Sequence, residues 1–278
     1  MQFDLTKLNE FIRSIIVLDT ETTGVDDDAH IIELSMSFPQ TINEDIDSIT
    51  NYTSRYNPGV EVPPEASAVH FISTEDLVNE KTYESDLPTI DMLMSQEYTK
   101  YYAGHNVQFD QRMVNENNLK YRSELPEYLM DNSRWICTMK LAKKLFAENK
   151  EYANMTLSYL WYKFGLYRSV PRPVNAHAAK DDVFMCYQVL VKLIEICIQE
   201  GHIDPAQDIG PQLSTFVNTP IRYTVMPIGK HKGTLMKLVP MDYIIWMIGN
   251  SDVLNEAQPN YDVDLAFTIM SEYNERAN

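Results

Sequence analysis

The stretch VLDTETTG, Val17–Gly24, decides how this chain is read. Just upstream, Ser14-Ile15-Ile16-Val17-Leu18 is an unbroken β-branched and leucine run, the pattern of a strand covered on both faces. It stops at Asp19, and Glu21 follows with one residue between. Side chains alternate along extended backbone, so both carboxylates project to the same side. Like charges held that close either share a proton or bind a hard cation such as Mg²⁺, Mn²⁺ or Ca²⁺. An isolated Asp-x-Glu is more often a pair of solvated loop acids, so the surroundings must decide.

Working outward, residues up to Arg13 form a short amphipathic pattern, and Gly24 with Asp26-Asp27-Asp28 leads into a second strand at 31–36. A third at 49–56 completes a β-meander. Asn57-Pro58-Gly59 and Pro63-Pro64 punctuate the connection, after which helical patterns alternate with a short strand at 100–104. This is an α/β chain. The clearest helix spans 181–198, where Val183, Tyr187, Leu190, Ile194 and Cys197 recur at spacings of four, three, four and three, a core stripe. Residues 201–222 are rich in Gly, Pro, Asp, Gln and Ser, which predicts a linker between a domain at 1–200 and one at 223–278. In the latter, 223–226 predicts a strand, GKHKG (Gly229–Gly233) a tight basic turn, and 240–249 a helix with Tyr243, Trp246 and Met247 on one side. The expectation is a small α+β module.

The 278 residues are 44% hydrophobic and 23% charged, which excludes wholesale disorder, collagen and coiled coil. The 23 Lys and Arg against 40 Asp and Glu give a net charge of −17, which by itself argues against a nucleic-acid partner. Its distribution weakens that argument. Residues 1–100 hold 20 acids and 5 bases, whereas 134–180 hold nine bases and two acids. Cys137, Cys186 and Cys197 are odd in number and set among apolar residues, the usage of reduced core thiols rather than a disulfide framework. No basic-then-apolar opening and no window near the ~18 apolar residues of a membrane span are present. A cytoplasmic protein without membrane association is expected.

Two later strings give Asp19 and Glu21 company. In AGHNVQFD (Ala103–Asp110) a short strand delivers Asp110 to the start of a helix, and HAAKDD (His177–Asp182) opens the long helix. Together and in this order, the three strings resemble the sequence blocks of the DEDDh group of 3′→5′ exonucleases, which includes the epsilon proofreading subunit of bacterial DNA polymerase III. The resemblance covers about residues 14–198. Between the blocks, residues 57–77 are similar to the family's connecting segment with its Ala-x-x-His core, and Arg134–Thr138 echoes another family stretch. Phe71 departs from the pattern, since many members have Gly after that His.

The resemblance implies a ribonuclease H-like fold, a mixed central sheet flanked by helices. It also implies a catalytic and metal-binding set of Asp19, Glu21, Asp110 and Asp182, with His177 as general base. Spacing alone leaves Asp181 and Asp182 both open; the family's His-x₄-Asp spacing selects Asp182. The implied chemistry is hydrolysis of phosphodiesters at nucleic-acid 3′ ends with two divalent cations, Mg²⁺ or Mn²⁺, releasing 5′-mononucleotides. In that scheme Asp19 bridges the ions, Glu21 and Asp182 complete the nucleophile-side ion, and Asp110 serves the second through water. Thr20, Thr22, Thr23 and His70 are expected beside the terminal nucleotide, with Asn106 orienting the site and His105 structural. Arg134, Lys140, Lys143 and Lys144 fit either a phosphate-contacting helix stripe or solvated surface.

Residues 223–248 resemble the small module that follows the nuclease in exodeoxyribonuclease X-like proteins, which favours DNA over RNA as substrate. Two other readings remain. One keeps the chemistry on RNA; the other is a non-catalytic acidic protein whose N-terminal third binds a basic protein partner.

Overall fold

The apolar run before Asp19 forms β1 (Ile15–Thr22), the middle strand of a five-stranded sheet. The computed structural model describes residues 5–147, 149–170, 174, 179–258 and 260–277. With β2 (Ile31–Phe38), β3 (Thr50–Arg55), β4 (Tyr101–Gly104) and β5 (Trp135–Cys137), the spatial order is β3-β2-β1-β4-β5. The first three strands are an antiparallel meander, with Glu21 opposite Glu33 and Glu33 opposite Arg55. Parallel pairing then sets Ile15 against Tyr101 and Tyr102 against Trp135. Sequence explains this placement. β1 opens on the buried apolar run Ile15–Leu18 and β2 is buried along its length, whereas the polar TNYTSR suits an edge.

The expected stripe Val183, Tyr187, Leu190, Ile194 and Cys197 lies buried along helix Ala179–Gln199, which packs on β1 and β2. Helix Val107–Leu119 starts directly after β4. Its close approach needs Gly104, where a Cβ would come within 2.8 Å of Val107 Cγ2 and 3.1 Å of the Leu18 carbonyl. β5 escaped the sequence reading because three residues show no period; parallel pairing with β4 defines it.

The chain divides into two compact units, the first made of Met1–Ala147 and Glu151–Val217 and the second of Asn218–Asn278 with Glu148–Lys150. The predicted linker therefore holds a helix, Ile209–Asn218, with Ile209, Leu213 and Val217 in the core of the first unit. Gly210 and Pro211 looked like linker punctuation, but Pro is tolerated in a helix's first turn.

In the second unit, helices Met241–Asn250 and Val263–Ala277 enclose Met226, Met236, Val239, Ile244, Met247, Leu265 and Ile269. The strand expected at 223–226 shrinks to a single bridge, Val225 with Leu235, around a turn whose Gly229 and Gly233 have φ of 70° and 84°. Arg222 clamps the last helix through Glu272 (2.9 Å) and Glu275 (2.6 Å). The aromatic side predicted for the 240–249 helix is also redrawn: Ile244 and Met247 face the core, while Trp246 is 53% exposed. Spacings of three and four fit both sides of a short apolar helix, and packing chooses between them.

All three cysteines are free and buried. Among the described residues no helix is long and apolar enough to cross a membrane.

Phe71 ends helix Pro64–His70 in the left-handed region, φ 58° and ψ 28°, with 76% of its surface exposed. That conformation costs a non-glycine residue about 1–2 kcal/mol, partly offset by the ~0.5–1 kcal/mol of chain entropy that glycine loses on folding. Phe71→Gly is expected to stabilise the protein by about 0.5–1 kcal/mol in denaturant unfolding. An unchanged or lower midpoint would contradict this account of the departure at Phe71.

Candidate active site

Past Val17, β1 has no β4 partner, because the parallel pairing ends at Val17 with Ala103. The backbone N–H of Thr20 is satisfied instead by a side chain: Asp110 Oδ1 accepts from Thr20 N at 2.9 Å and from Thr20 Oγ1 at 2.8 Å. Asp110 is buried in the first turn of helix Val107–Leu119, where the helix N-terminus favours a carboxylate. Asp19 and Glu21 project from the face of β1 opposite the Thr20 side chain, as alternation requires. Asp182 reaches the same place from the first turn of helix Ala179–Gln199, and ligand oxygens of Asp19, Glu21 and Asp182 lie within 4.8 Å of one another. Asp182, not Asp181, joins this group.

Burial holds the Asp19 carboxyl well above its ordinary range, and Asp110, Glu21, Asp182 and Glu33 push it the same way. Glu21 is raised to about 8, by burial first and then by Asp182, Glu33 and Asp110. Asp110 is raised to about 7 by burial, against the opposing effect of the two Thr20 hydrogen bonds. The charged groups that weigh most on the centre are thus all acids. A set of converging carboxylate oxygens is suited to hard divalent cations.

Beside the carboxylates lies a cleft of about 450 Å³ lined by Thr20, Glu21, Thr22, Thr23, His70 and Phe109, among others. The structure thus brings together Thr20, Thr22, Thr23 and His70, the residues expected beside a terminal nucleotide. Asn106, expected to orient the site, sits exposed at the N-cap of the 107–119 helix with φ 71° and is not among the residues lining the cleft. His70 Nδ1 accepts from the Ile72 N–H at 3.1 Å, and burial lowers its pKa. His105 is structural: it bonds Thr138 Oγ1 and the Met155 carbonyl, and burial lowers its pKa to about 4. His177 lies outside the described residues.

The basic stripe does not form. Arg134 donates to the backbone carbonyls of Thr99, Lys100 and Tyr128, and Lys144 to that of Phe216, leaving Lys140 and Lys143 without such ties. Sequence reasoning also missed Glu33, buried opposite Glu21 and bound to Arg55 at 2.5 Å, and Phe109 in the cleft wall. The signal for Glu33 was a lone acid inside an otherwise apolar strand, IIELSMSF.

Fold and site together define a ribonuclease H-like hydrolase of the DEDDh exonuclease class. The chain belongs to the Exonuclease family, whose profile matches residues 16–190. It is 28% identical over 244 residues to exodeoxyribonuclease 10 of Escherichia coli strain K12, covering 86% of this chain and 92% of that protein. It is 24% identical over 184 residues to DNA polymerase III subunit epsilon of Aquifex aeolicus, covering 66% and 81% respectively. Among solved structures, exonuclease X in complex with 5′ overhanging duplex DNA overlays with a TM-score of 0.50 at 22% identity, over 73% of this chain and 99% of that one. The nuclease domain of 3′hExo, a DEDDh family member bound to rAMP, overlays at 0.50 and 14% identity, over 67% and 92%.

Glu21 titrates near 8 in the folded protein but near 4.5 when unfolded, so between those values the folded state holds more protons. Stability without cations is therefore lost as pH rises through this interval, and cations that replace the protons restore it. Calorimetry should show a larger Mg²⁺- or Mn²⁺-induced rise in Tm at about pH 8 than at about pH 6. Asp19→Asn removes a repelling charge, so it should raise Tm in chelator and abolish the cation response. A cation response independent of pH, or intact in Asp19→Asn, would refute this electrostatic description.

Proposed function

We propose that this exonuclease releases 5′-mononucleotides from DNA 3′ ends at a two-cation centre. Asp19, Glu21, Asp110 and Asp182 would hold the ions, with His177 as general base. The observation that carries the reading is the convergence of Asp19, Glu21 and Asp182 beside a cleft large enough for one nucleotide. Bound divalent ions would supply charge neutralisation for the phosphoryl oxygens and acidify a water molecule.

The chain's own residues do the rest. Thr20 fixes Asp110 through two hydrogen bonds, so this carboxylate is oriented before any ligand arrives. Phe109 and Val69 give the cleft an apolar wall against which a base or sugar fits, and His70 is held neutral next to it with one ring nitrogen already engaged. An imidazole at position 177, with an unperturbed pKa of ~6.5, is suited to accept a proton near neutral pH. DNA as substrate is supported by the likeness to exodeoxyribonuclease 10, which extends over 86% of the chain. RNA is the second reading, favoured by the fold's likeness to 3′hExo bound to rAMP. A cytoplasmic setting fits three free, buried thiols.

With Mg²⁺ or Mn²⁺, the purified protein should shorten a 5′-labelled DNA strand stepwise from its 3′ end, and a matched RNA more slowly. Asp19→Ala should lower the rate by roughly 10³-fold or more, the equivalent of several kcal/mol of charge stabilisation. His177→Ala should cost about 10²–10⁴-fold. No mononucleotide release, or release undiminished in Asp19→Ala, would overturn the proposal.

A further inference from the structure

The second unit carries an aromatic ladder that runs from the edge of its core, at Tyr243, out to an exposed tryptophan. Tyr243 stacks on Trp246 with centroids 5.7 Å apart and planes at 22°, and His231 meets Tyr243 edge-on at 4.6 Å. Trp246 is 53% exposed, whereas Trp135 and Trp161, the remaining tryptophans, are 1% and 2% exposed. Ile245, at 52%, widens the apolar surface. A tryptophan left in water beside another ring forgoes burial that the nearby core of Met226, Ile244 and Met247 offers its neighbours, and such exposure marks a contact surface.

The charge around the ladder identifies the partner. The turn 229–233 folds against it so closely that a Cβ on Gly229 would come 2.5 Å from Tyr243 Oη. That turn bears Lys230 and Lys232, and Lys237 follows; all three are exposed, and none has an ion-pair partner among the described residues. The other two bases after Asn218, Arg222 and Arg276, are both engaged by Glu272. Three exposed lysines within eight residues, two of them on the turn that packs on Tyr243, beside the exposed Trp246 ring, match a polyanion that also offers flat apolar faces. Single-stranded nucleic acid has that chemistry, with bases to stack on aromatics and phosphates for the lysines. Paired bases in a duplex keep their faces hidden in the stack.

We infer that Trp246 and Tyr243, with Lys230, Lys232 and Lys237, form a single-strand-binding face on the second unit, in addition to the catalytic cleft. The test uses the full chain in chelator, so neither cation binding nor cleavage enters. Titration with a dT12 oligonucleotide should quench the tryptophan fluorescence, because Trp246 is the one tryptophan of three that is exposed.

Trp246→Ala should weaken binding about tenfold, as expected for loss of one base stack, while Trp246→Phe retains most of the affinity. Lys230→Gln with Lys232→Gln should flatten the log affinity against log salt slope by about 1.4, at ~0.7 per phosphate contact on a single strand. All variants should keep wild-type cleavage of a dinucleotide in Mn²⁺, too short to need the second face. Absence of quenching, or unchanged affinity in Trp246→Ala, overturns the inference and points to a protein partner for the patch. Asp19→Asn should still bind and quench even if the proposed hydrolysis fails, so the two readings fail separately.

Discussion

Mutual repulsion among carboxyl groups at the end of β1 is the constraint around which the first unit is organised. Asp19 and Glu21 face Asp182 across less than 5 Å, and Asp110, held on the Thr20 backbone N–H, adds its charge. Left to themselves, solvated loops would let these groups drift apart. They stay because each is attached to an element whose position is fixed by apolar burial: β1 at the sheet centre, helix Val107–Leu119 behind Gly104, and helix Ala179–Gln199 across β1 and β2. The parallel half of the sheet also ends here, and such strand ends leave a crevice open to ligands. Stability and function therefore oppose each other at one place, and a divalent cation is what reconciles them.

The net charge of −17 takes on a different meaning in this light. The basic segment at 134–180 looked like compensation, but Arg134 and Lys144 are consumed in tying backbone carbonyls of neighbouring elements. Divalent cations bound at the carboxylates would add attraction for phosphate at the cleft by reversing the sign of the local field. On the second unit the situation differs, because three lysines stand without acidic partners among the described residues. In the proposed scheme the two units would attract anions differently, the first through bound cations and the second through ammonium groups.

Much of this was legible in the sequence, for identifiable reasons. The β1 run, the alternation of Asp19 with Glu21 and the 3.6-residue stripe of the long helix are local patterns that survive folding unchanged. The split between Asp181 and Asp182 was not local, since both occupy one helical turn and only the docking of that helix on the sheet selects between them. β5 is too short to carry a period, and the helix at 209–218 was hidden by Gly210 and Pro211. Trp246 was assigned to an apolar face by spacing alone, whereas competition with Ile244 and Met247 for the core settles its exposure.

Glu33 shows how register supplies what composition conceals. Like charges directly opposite on adjacent strands destabilise a sheet, and the β1–β2 register sets Glu21 against Glu33. The next register, β2 with β3, sets Glu33 against Arg55, and the guanidinium Nε closes on Glu33 Oε2 at 2.5 Å. Across three strands the sequence of charges is therefore negative, negative, positive. Arg55 sits on the edge strand, partly exposed, where a cation is cheaply solvated, yet it offsets one acid of the cluster two strands from Glu21. A cation on β2 in place of Glu33 would pair with Glu21 directly and engage a carboxylate of the Asp19–Glu21–Asp182 cluster. Placing the balancing charge one strand further out relieves part of the repulsion and leaves Glu21 free for a ligand.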